Sequence, residues 1–237
     1  MATDNIDNRR LYRKIADRMI QKIGAGYFKV GGRLPAERSM AERFAVSRPT
    51  MREALIALEV EGWVEIRGGA GVFVLDRPEA VNTLTSPVNG LPPPGPFEVL
   101  FARNLIEPEI AALAAHNAMP NHLTMLSRAL SNMVCCSATD IKRLDYDRDF
   151  HFALAEASGN SALSIAVQAL WAPRVQPVYL RLEDHFQNEQ VWLRAIIGHR
   201  KILEAVKQGD AKTARSTMRH NLQSARKLMS SNWRKGL

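Results

Sequence analysis

Arg33-Leu-Pro-Ala-Glu-Arg-Ser-Met-Ala-Glu-Arg-Phe-Ala-Val-Ser-Arg-Pro-Thr-Met-Arg-Glu-Ala-Leu55, followed by Trp63-Val-Glu-Ile-Arg-Gly-Gly-Ala-Gly-Val-Phe-Val-Leu75, decides how this chain is read. Pro35 suits the first turn of a short helix, where a missing N–H costs nothing. Leu34, Met40, Phe44 and Val46 supply one apolar face. Ser47 is a good N-cap for a second helix and Pro49 fits its first turn. Met51, Leu55 and Leu58 then recur at helical spacing, while Arg48 and Arg52, four apart, share another face near the helix start. Gly62 stops that helix. Trp63–Arg67 and Gly71–Leu75 alternate like strands around a tip of glycines. The order of elements predicts a winged helix-turn-helix, whose second helix enters the major groove of DNA. Arginines at its start can reach phosphates or pair with guanine. A solvated basic helix pair in some other domain is the competing reading; turn, caps, charge and wing together weigh against it.

Over Arg33–Leu55 and Glu61–Gly71 the sequence resembles the GntR-type bacterial transcription regulators. The match covers the first third of the chain. The resemblance implies DNA contacts from Arg38, from Ser47, Arg48, Thr50 and Arg52 at the start of the second helix, and from the wing tip, Arg67 and Gly68. Pro49 stands where relatives often carry Thr or Ala, which removes one hydroxyl from that surface.

The 237 residues are long for one helical domain and suit two, and a hydrophobic content of 46% allows real cores. The formal net charge of +8 is split evenly, 14 basic against 10 acidic residues over 1–78 and 18 against 14 over 79–237. Positive charge is therefore denser in the smaller part, as contact with nucleic acid requires. No apolar run approaches the roughly 18 residues of a membrane span. The start, Met1-Ala-Thr-Asp-Asn5, lacks a signal-peptide core. The expected location is the cytoplasm, with no membrane partner. The two cysteines, Cys135 and Cys136, are adjacent, which suits neither an unstrained disulfide nor a zinc site and fits plain helix residues in a reducing compartment.

Asn82–Pro96, with Pro92-Pro-Pro-Gly-Pro96, cannot form a regular helix or a central strand. The expected organisation is a DNA-binding domain over 1–79, a semi-rigid linker over 80–96 and an all-helical domain over 97–237. Helical patterns run over Phe97–Ala118, His122–Val134, Asp140–Ala157, Ser161–Leu170, Gln190–Gln208 and Asp210–Leu228, with Pro173 and Pro177 as interruptions. The fold class is thus mainly α, a winged helix-turn-helix followed by a bundle of six or seven helices.

In that bundle Asp147 and His151 are four apart on one helix, with His199 and His220 on the two last helices. One carboxylate and three imidazoles from three helices can converge on a divalent metal. Ordinary scattered polar residues explain the same spacing, since the chain has six histidines.

Asp147-Arg-Asp-Phe-His151, Gly159-Asn160, Gly198-His199 and Met218-Arg-His220 resemble the hallmark of the helical effector domain in the FadR-like branch of GntR regulators. The resemblance implies Asp147, His151, His199 and His220 as ligands of zinc, nickel or manganese, with open positions for an anionic effector. His116, His122 and His185 fall outside the pattern, and Asp149 should face away from the metal. Arg103 matches the arginine that opens this domain in relatives, and its fork suits a carboxylate; a salt bridge to Glu107 at i+4 is its plainer role. Asn160 can point into the pocket or end a helix. Trp171, Tyr179 and Trp192 can line the cavity or belong to the core. The chain is further similar to the repressors of hexuronate utilisation, which implies a sugar-acid effector; lactate-like, citrate-like and other carboxylates stay open. The implied protein is a homodimer on a pseudo-palindromic operator, released by its effector, and not an enzyme. Two rivals are an acyl-CoA-responsive relative without metal and a metal-dependent hydrolase fused to a DNA-binding module. No Asp or Glu follows Asp210 among seven Lys and Arg; cations favour a helix C-terminus, and extra DNA contact is the sharper alternative.

Overall fold

The computed structural model of the chain describes residues 11–76 and 93–231. Most of the expected linker, 80–92, lies outside the described residues. The chain divides into two compact units. One holds the residues up to Glu98 with Pro173–Phe186 and the chain from Met229; the other holds Val99–Ala172 and Gln187–Leu228.

The first unit begins with helix α1 (Leu11–Gly24), which buries Tyr12, Ile15, Ala16, Met19 and Ile23 along one stripe. Helices α2 (Glu37–Arg43) and α3 (Arg48–Val60) follow. Pro35 precedes α2 instead of opening it; Ala36 is the N-cap. The turn between α2 and α3 passes through Ala45 at φ 52, a left-handed conformation that strains a residue with a Cβ. Ser47 caps α3 by accepting from the Thr50 N–H at 3.2 Å, and Pro49 sits in its first turn. Gly62 ends α3 at φ 74.

Strands β1 (Val64–Arg67) and β2 (Gly71–Val74) pair antiparallel, with Val64 opposite Val74 and Arg67 opposite Gly71. An isolated bridge from Arg33 to Phe73 widens this wing. Gly71 takes φ 120, a backbone conformation that L side chains rarely adopt, so glycine is favoured where the second strand begins. The core of the unit is Met51, Ala54, Leu55 and Leu58 of α3 against Met40, Ile15 and Met19.

After a short 3-10 turn (Ala172–Val175), the unit also contains a further helix over Pro177–Phe186. Pro173, expected as an interruption, lies in the 3-10 turn. Pro177 instead opens this helix, the position where its fixed φ and missing N–H are harmless.

The second unit is all-helical. Helix α4 (Pro96–Asn117) begins in the first unit and continues here. It is followed by α5 (Pro120–Cys135), α6 (Arg143–Ala157) and α7 (Ser161–Trp171). The Pro177–Phe186 helix is α8 in chain order; α9 (Glu189–Lys207) and α10 (Ala211–Met229) are the last helices among the described residues. The expected helices are all present, with ends moved by a few residues. Asp140 does not cap α6 directly; its carboxylate accepts from the Lys142 N–H in the turn before. Asn188 caps α9 and Asp210 accepts from the Thr213 N–H in the first turn of α10. Phe150, Leu154, Trp171, Ile202, Met218 and Leu222 anchor one continuous core. Phe150, fully enclosed, stands edge-on to the His199 ring at 4.6 Å between centroids.

Candidate metal centre and nucleic-acid interface

Asp147 and His151 project from adjacent turns of α6, and His199 from α9, so that three donor atoms meet inside the bundle. His199 Nε2 lies 3.1 Å from Asp147 Oδ1 and 3.2 Å from His151 Nε2. His151 Nε2 lies 3.8 Å from Asp147 Oδ1. Both histidines are buried and Asp147 is half-buried.

The outer nitrogens of both rings face oxygen. His199 Nδ1 is 2.7 Å from the Ala195 carbonyl, one turn back on α9. His151 Nδ1 is 2.7 Å from Glu107 Oε2, an ion-pair contact off the line of a good hydrogen bond. Protons on the two Nδ1 atoms leave lone pairs on the two Nε2 atoms, which then face each other at 3.2 Å. Bare lone pairs at that distance repel, and a cation between them turns repulsion into ligation. Donors about 2.1 Å from one ion stand about 3.0–3.4 Å apart at octahedral or tetrahedral angles. Two of the three separations, both to His199 Nε2, lie in that range, and the His151–Asp147 separation of 3.8 Å is wider, so the residues fit a divalent metal with Asp147 or His151 drawn in by a few tenths of an ångström.

Glu107 supports this cluster from α4. Its carboxylate accepts from Arg103 Nε at 2.7 Å and Nη2 at 3.2 Å, and from Trp171 Nε1 at 3.1 Å. Burial alone would raise its pKa, but the Arg103 guanidinium beside it outweighs burial and holds it well below the carboxylate range. Burial pushes the His151 pKa down despite Glu107, which favours the neutral, ligating imidazole. Carboxylates that accept from the far nitrogen of a ligating histidine fix its tautomer and orientation.

The remaining expected positions divide. Arg103 reaches within 3.5 Å of His151 Nε2 and lies over the Trp171 ring at 4.1 Å, so both border the cluster while Arg103 also makes its ion pair to Glu107. Trp171 is 4.9 Å from the His151 ring between centroids. His220 is not in the cluster. It is exposed on α10 and lies 3.5 Å from Ser224. Met218 and Leu222 are the inward positions of that helix, which turns His220, two residues from each, away from the core. The neighbouring Asn221 has its amide against Gly198 of α9, where an added Cβ would meet Oδ1 at 2.9 Å.

Asn160 caps α7, accepting from the Ala162 and Leu163 N–H groups, and is exposed, not aimed into a pocket. Trp192 is a core residue whose Nε1 donates to the Cys136 carbonyl at 2.9 Å. Tyr179 belongs to the other unit, buried on α8 beside Arg174. Asp149 faces out and pairs with Arg148, as expected. Glu107 is the site residue that sequence reasoning did not assign; it was visible only as a salt-bridge partner for Arg103.

On the first unit, Arg38 is exposed and pairs with Glu42 at 3.1 Å. Ser47 Oγ and Thr50 Oγ1 are 2.8 Å apart at the start of α3. Arg67 is exposed on the wing, held by Glu65 at 2.7 Å and stacked on Phe73 at 4.5 Å, with Gly68 next to it at the tip. Arg48 is half-exposed, but Arg52 is enclosed, bonded to Glu37 and to the Met229 carbonyl. The resemblance put Arg52 on the DNA surface; in this structure Phe186 of α8 and the chain at Met229 cover it.

Comparison with known proteins places both units. Residues 11–74 match the family described as bacterial regulatory proteins, gntR family, and residues 98–224 match the FCD domain. The Uxu operon regulator of Haemophilus influenzae is 35% identical over 227 residues, covering 94% of this chain and 83% of that protein. The Exu regulon transcriptional regulator of Escherichia coli is 33% identical over 221 residues, covering 92% of this chain and 84% of that protein. Among solved structures, the Listeria monocytogenes protein Lar aligns over 92% of this chain and 96% of that one at a TM-score of 0.50 and 19% identity, a likeness of fold.

Proposed function

Because the chain belongs to the GntR family of bacterial transcription regulators, with an FCD domain after its DNA-binding domain, we propose that it is a repressor controlled by a small carboxylate bound at a metal centre. The family is one of regulators, not enzymes, which sets aside the hydrolase reading. The observation that carries the proposal is the convergence of Asp147, His151 and His199 on one point inside the bundle. Those three residues hold the ion, and Glu107 and the Ala195 carbonyl orient the two rings. A bound divalent ion supplies positive charge and open coordination positions to a carboxylate. Arg103, within 3.5 Å of His151 Nε2, adds a guanidinium at the same place. This donor set favours a metal-bound acid over an acyl-CoA.

The relatives named for the Uxu and Exu systems support a sugar acid, a hexuronate or its keto product, as the effector. The operon repressed is then one for carbohydrate-acid catabolism, and the protein works in the cytoplasm as a homodimer on a pseudo-palindromic operator. Arg38, Ser47, Arg48, Thr50, Arg67 and Gly68 form the DNA-facing set. Its boundaries follow the sequence: DNA-binding over 1–79, linker over 80–96, effector domain over 97–237.

A thermal-shift screen of hexuronates, their keto products, lactate and citrate, with and without chelation, tests the effector. Ligand that binds the native state raises the melting temperature by mass action. The proposal expects a rise with a hexuronate that chelation removes. A metal-dependent rise with lactate or citrate alone would discard the sugar acid, and a rise indifferent to chelation would discard the metal pocket.

A further inference from the structure

Glu59 stands one residue before the end of α3 and joins three elements. Its Oε1 accepts from the Ile66 N–H of β1 at 3.0 Å and from Arg181 Nη2 of α8 at 3.0 Å. Its Oε2 accepts from Arg181 Nε at 3.0 Å and lies 2.7 Å from His185 Nε2. A carboxylate offers about four acceptor positions, and these contacts fill them. The Glu59 side chain is only 6% exposed. Burial alone would raise its pKa, but His185 and Arg181 outweigh burial and hold it below the ordinary carboxylate range. Tying the wing to α3 needs only the Ile66 bond. The two cations of α8 are additional, four apart on one face of that helix. The two-pronged arginine makes the join directional as well as charged.

By sequence α8 lies within the stretch 98–224 that matches the FCD domain, yet by packing it belongs to the DNA-binding unit. The division between the units falls between Ala172 and Pro173, inside the 3-10 turn. Before that point Trp171 ends α7 beside the metal cluster, with Nε1 on Glu107 and the Arg103 guanidinium over its ring. After it the turn is fastened to α8. Arg174 donates through Nη2 to Glu183, both are buried, and the guanidinium lies over the Tyr179 ring at 5.5 Å. Only residues 172–176 separate Trp171 from Pro177. An acid bound at Arg103 competes with Glu107 and Trp171 for that guanidinium, so the end of α7 changes its contacts when the effector arrives.

We propose that α8 is the element that couples the metal pocket to DNA reading: clasped to Glu59 through Arg181 and His185, it passes a displacement of Trp171 to the junction of α3 and the wing. Opening the clasp would leave a buried carboxylate uncompensated, so α8 carries α3 and the wing with it instead of slipping past them. This role rests on the reading of the bundle as an effector-controlled domain and goes beyond it in naming the route and its residues. The pocket and the DNA surface are the two distinct sites that such coupling requires.

The test uses full-length zinc-loaded protein, the duplex that wild-type protein recovers from a random-sequence pool, and glucuronate as the probe. The quantity read is the ratio of duplex affinities without and with saturating glucuronate, with zinc content and glucuronate binding measured on the same samples. The expected ratio is roughly 5–150 in wild type and near unity in Arg181→Ala/His185→Ala, with zinc and glucuronate still bound. Glu59→Gln keeps an acceptor for Ile66 and removes the charge that holds α8, and it should lower the ratio by a similar factor. Combining all three substitutions should lower it no further, because both sides act through one join. If the alanine pair does not fold, Arg181→Gln/His185→Gln, which leaves neutral polar groups in place, carries the same comparison.

A wild-type ratio in both variants would overturn the proposal. With duplex affinity intact, the coupling takes another route; with duplex affinity lowered equally in both conditions, the clasp is a structural brace. Losses that add across the combined variant would also overturn it, since the two sides would then act separately. Wild-type duplex affinity indifferent to glucuronate would defeat the hexuronate reading and the proposal with it, a result distinct from the others.

Discussion

Glu53 on α3 and Glu107 on α4 are both buried carboxylates, yet their surroundings drive them to opposite charge states. Glu53 accepts one hydrogen bond, from the Phe97 N–H at 2.8 Å, and burial pushes its pKa up to about 8. Glu107 is more deeply enclosed, but Arg103, Trp171 and His151 surround it and its pKa falls well below the ordinary range. Burial by itself does not set ionisation; the partners do. The difference separates the roles of the two regions. The DNA-binding unit uses a neutral buried acid to tie the first turn of α4 to α3. The bundle keeps an ionised acid and a neutral imidazole side by side, an arrangement suited to holding a metal.

The comparison breaks most decisively at the metal. His199→Ala removes one of three converging donors, and metal bound to purified protein should fall from stoichiometric to background by elemental analysis. Stoichiometric metal in that variant would move the site elsewhere. Next, Phe150→Ala should destabilise by about 3–5 kcal/mol in denaturant unfolding, because it leaves a cavity behind both histidines.

The two carboxylates then separate by pH. Between the ordinary 4.5 and about 8, Glu53 keeps its proton in the folded chain and loses it in the unfolded one. The unfolded state therefore binds fewer protons, and this group makes stability fall as pH rises through that window. Glu53→Gln should flatten the slope, measured by denaturant midpoints at pH 5.5 and pH 8.5; an unchanged slope would show that Glu53 is ionised. Glu107→Gln should weaken metal about 10–100-fold in a competition titration with a chelator, as expected for a residue that orients a ligand. The smallest effect expected is Ser47→Ala, about 1 kcal/mol from the lost cap of α3, with metal affinity unchanged.

What could be read in the sequence was what depends on neighbours in sequence. Ser47, Pro49 and Gly62 act within one turn, so α3 was legible to its ends. Asp147 and His151 are one turn apart, so two of the three converging donors were visible as a face. His220 was misplaced because its resemblance to a motif outweighed a local sign: Met218 and Leu222, four apart, already marked the inward stripe of α10. Helix α1 lies outside the sequence-based expectations, although Ile15, Met19 and Ile23 carry the helical spacing. Helix α8 was hidden behind two prolines, one of which opens it. The enclosure of Arg52 could not be foreseen, since Met229 lies 177 residues away in sequence.

The most direct test of the account is operator affinity of the metal-loaded full-length protein, measured by fluorescence anisotropy with and without a saturating hexuronate. The account predicts a loss of roughly 5–150-fold, the usual range of allosteric coupling, that disappears in His199→Ala. Unchanged affinity at saturating hexuronate, in protein shown to bind that hexuronate, would contradict control of DNA reading by the metal centre.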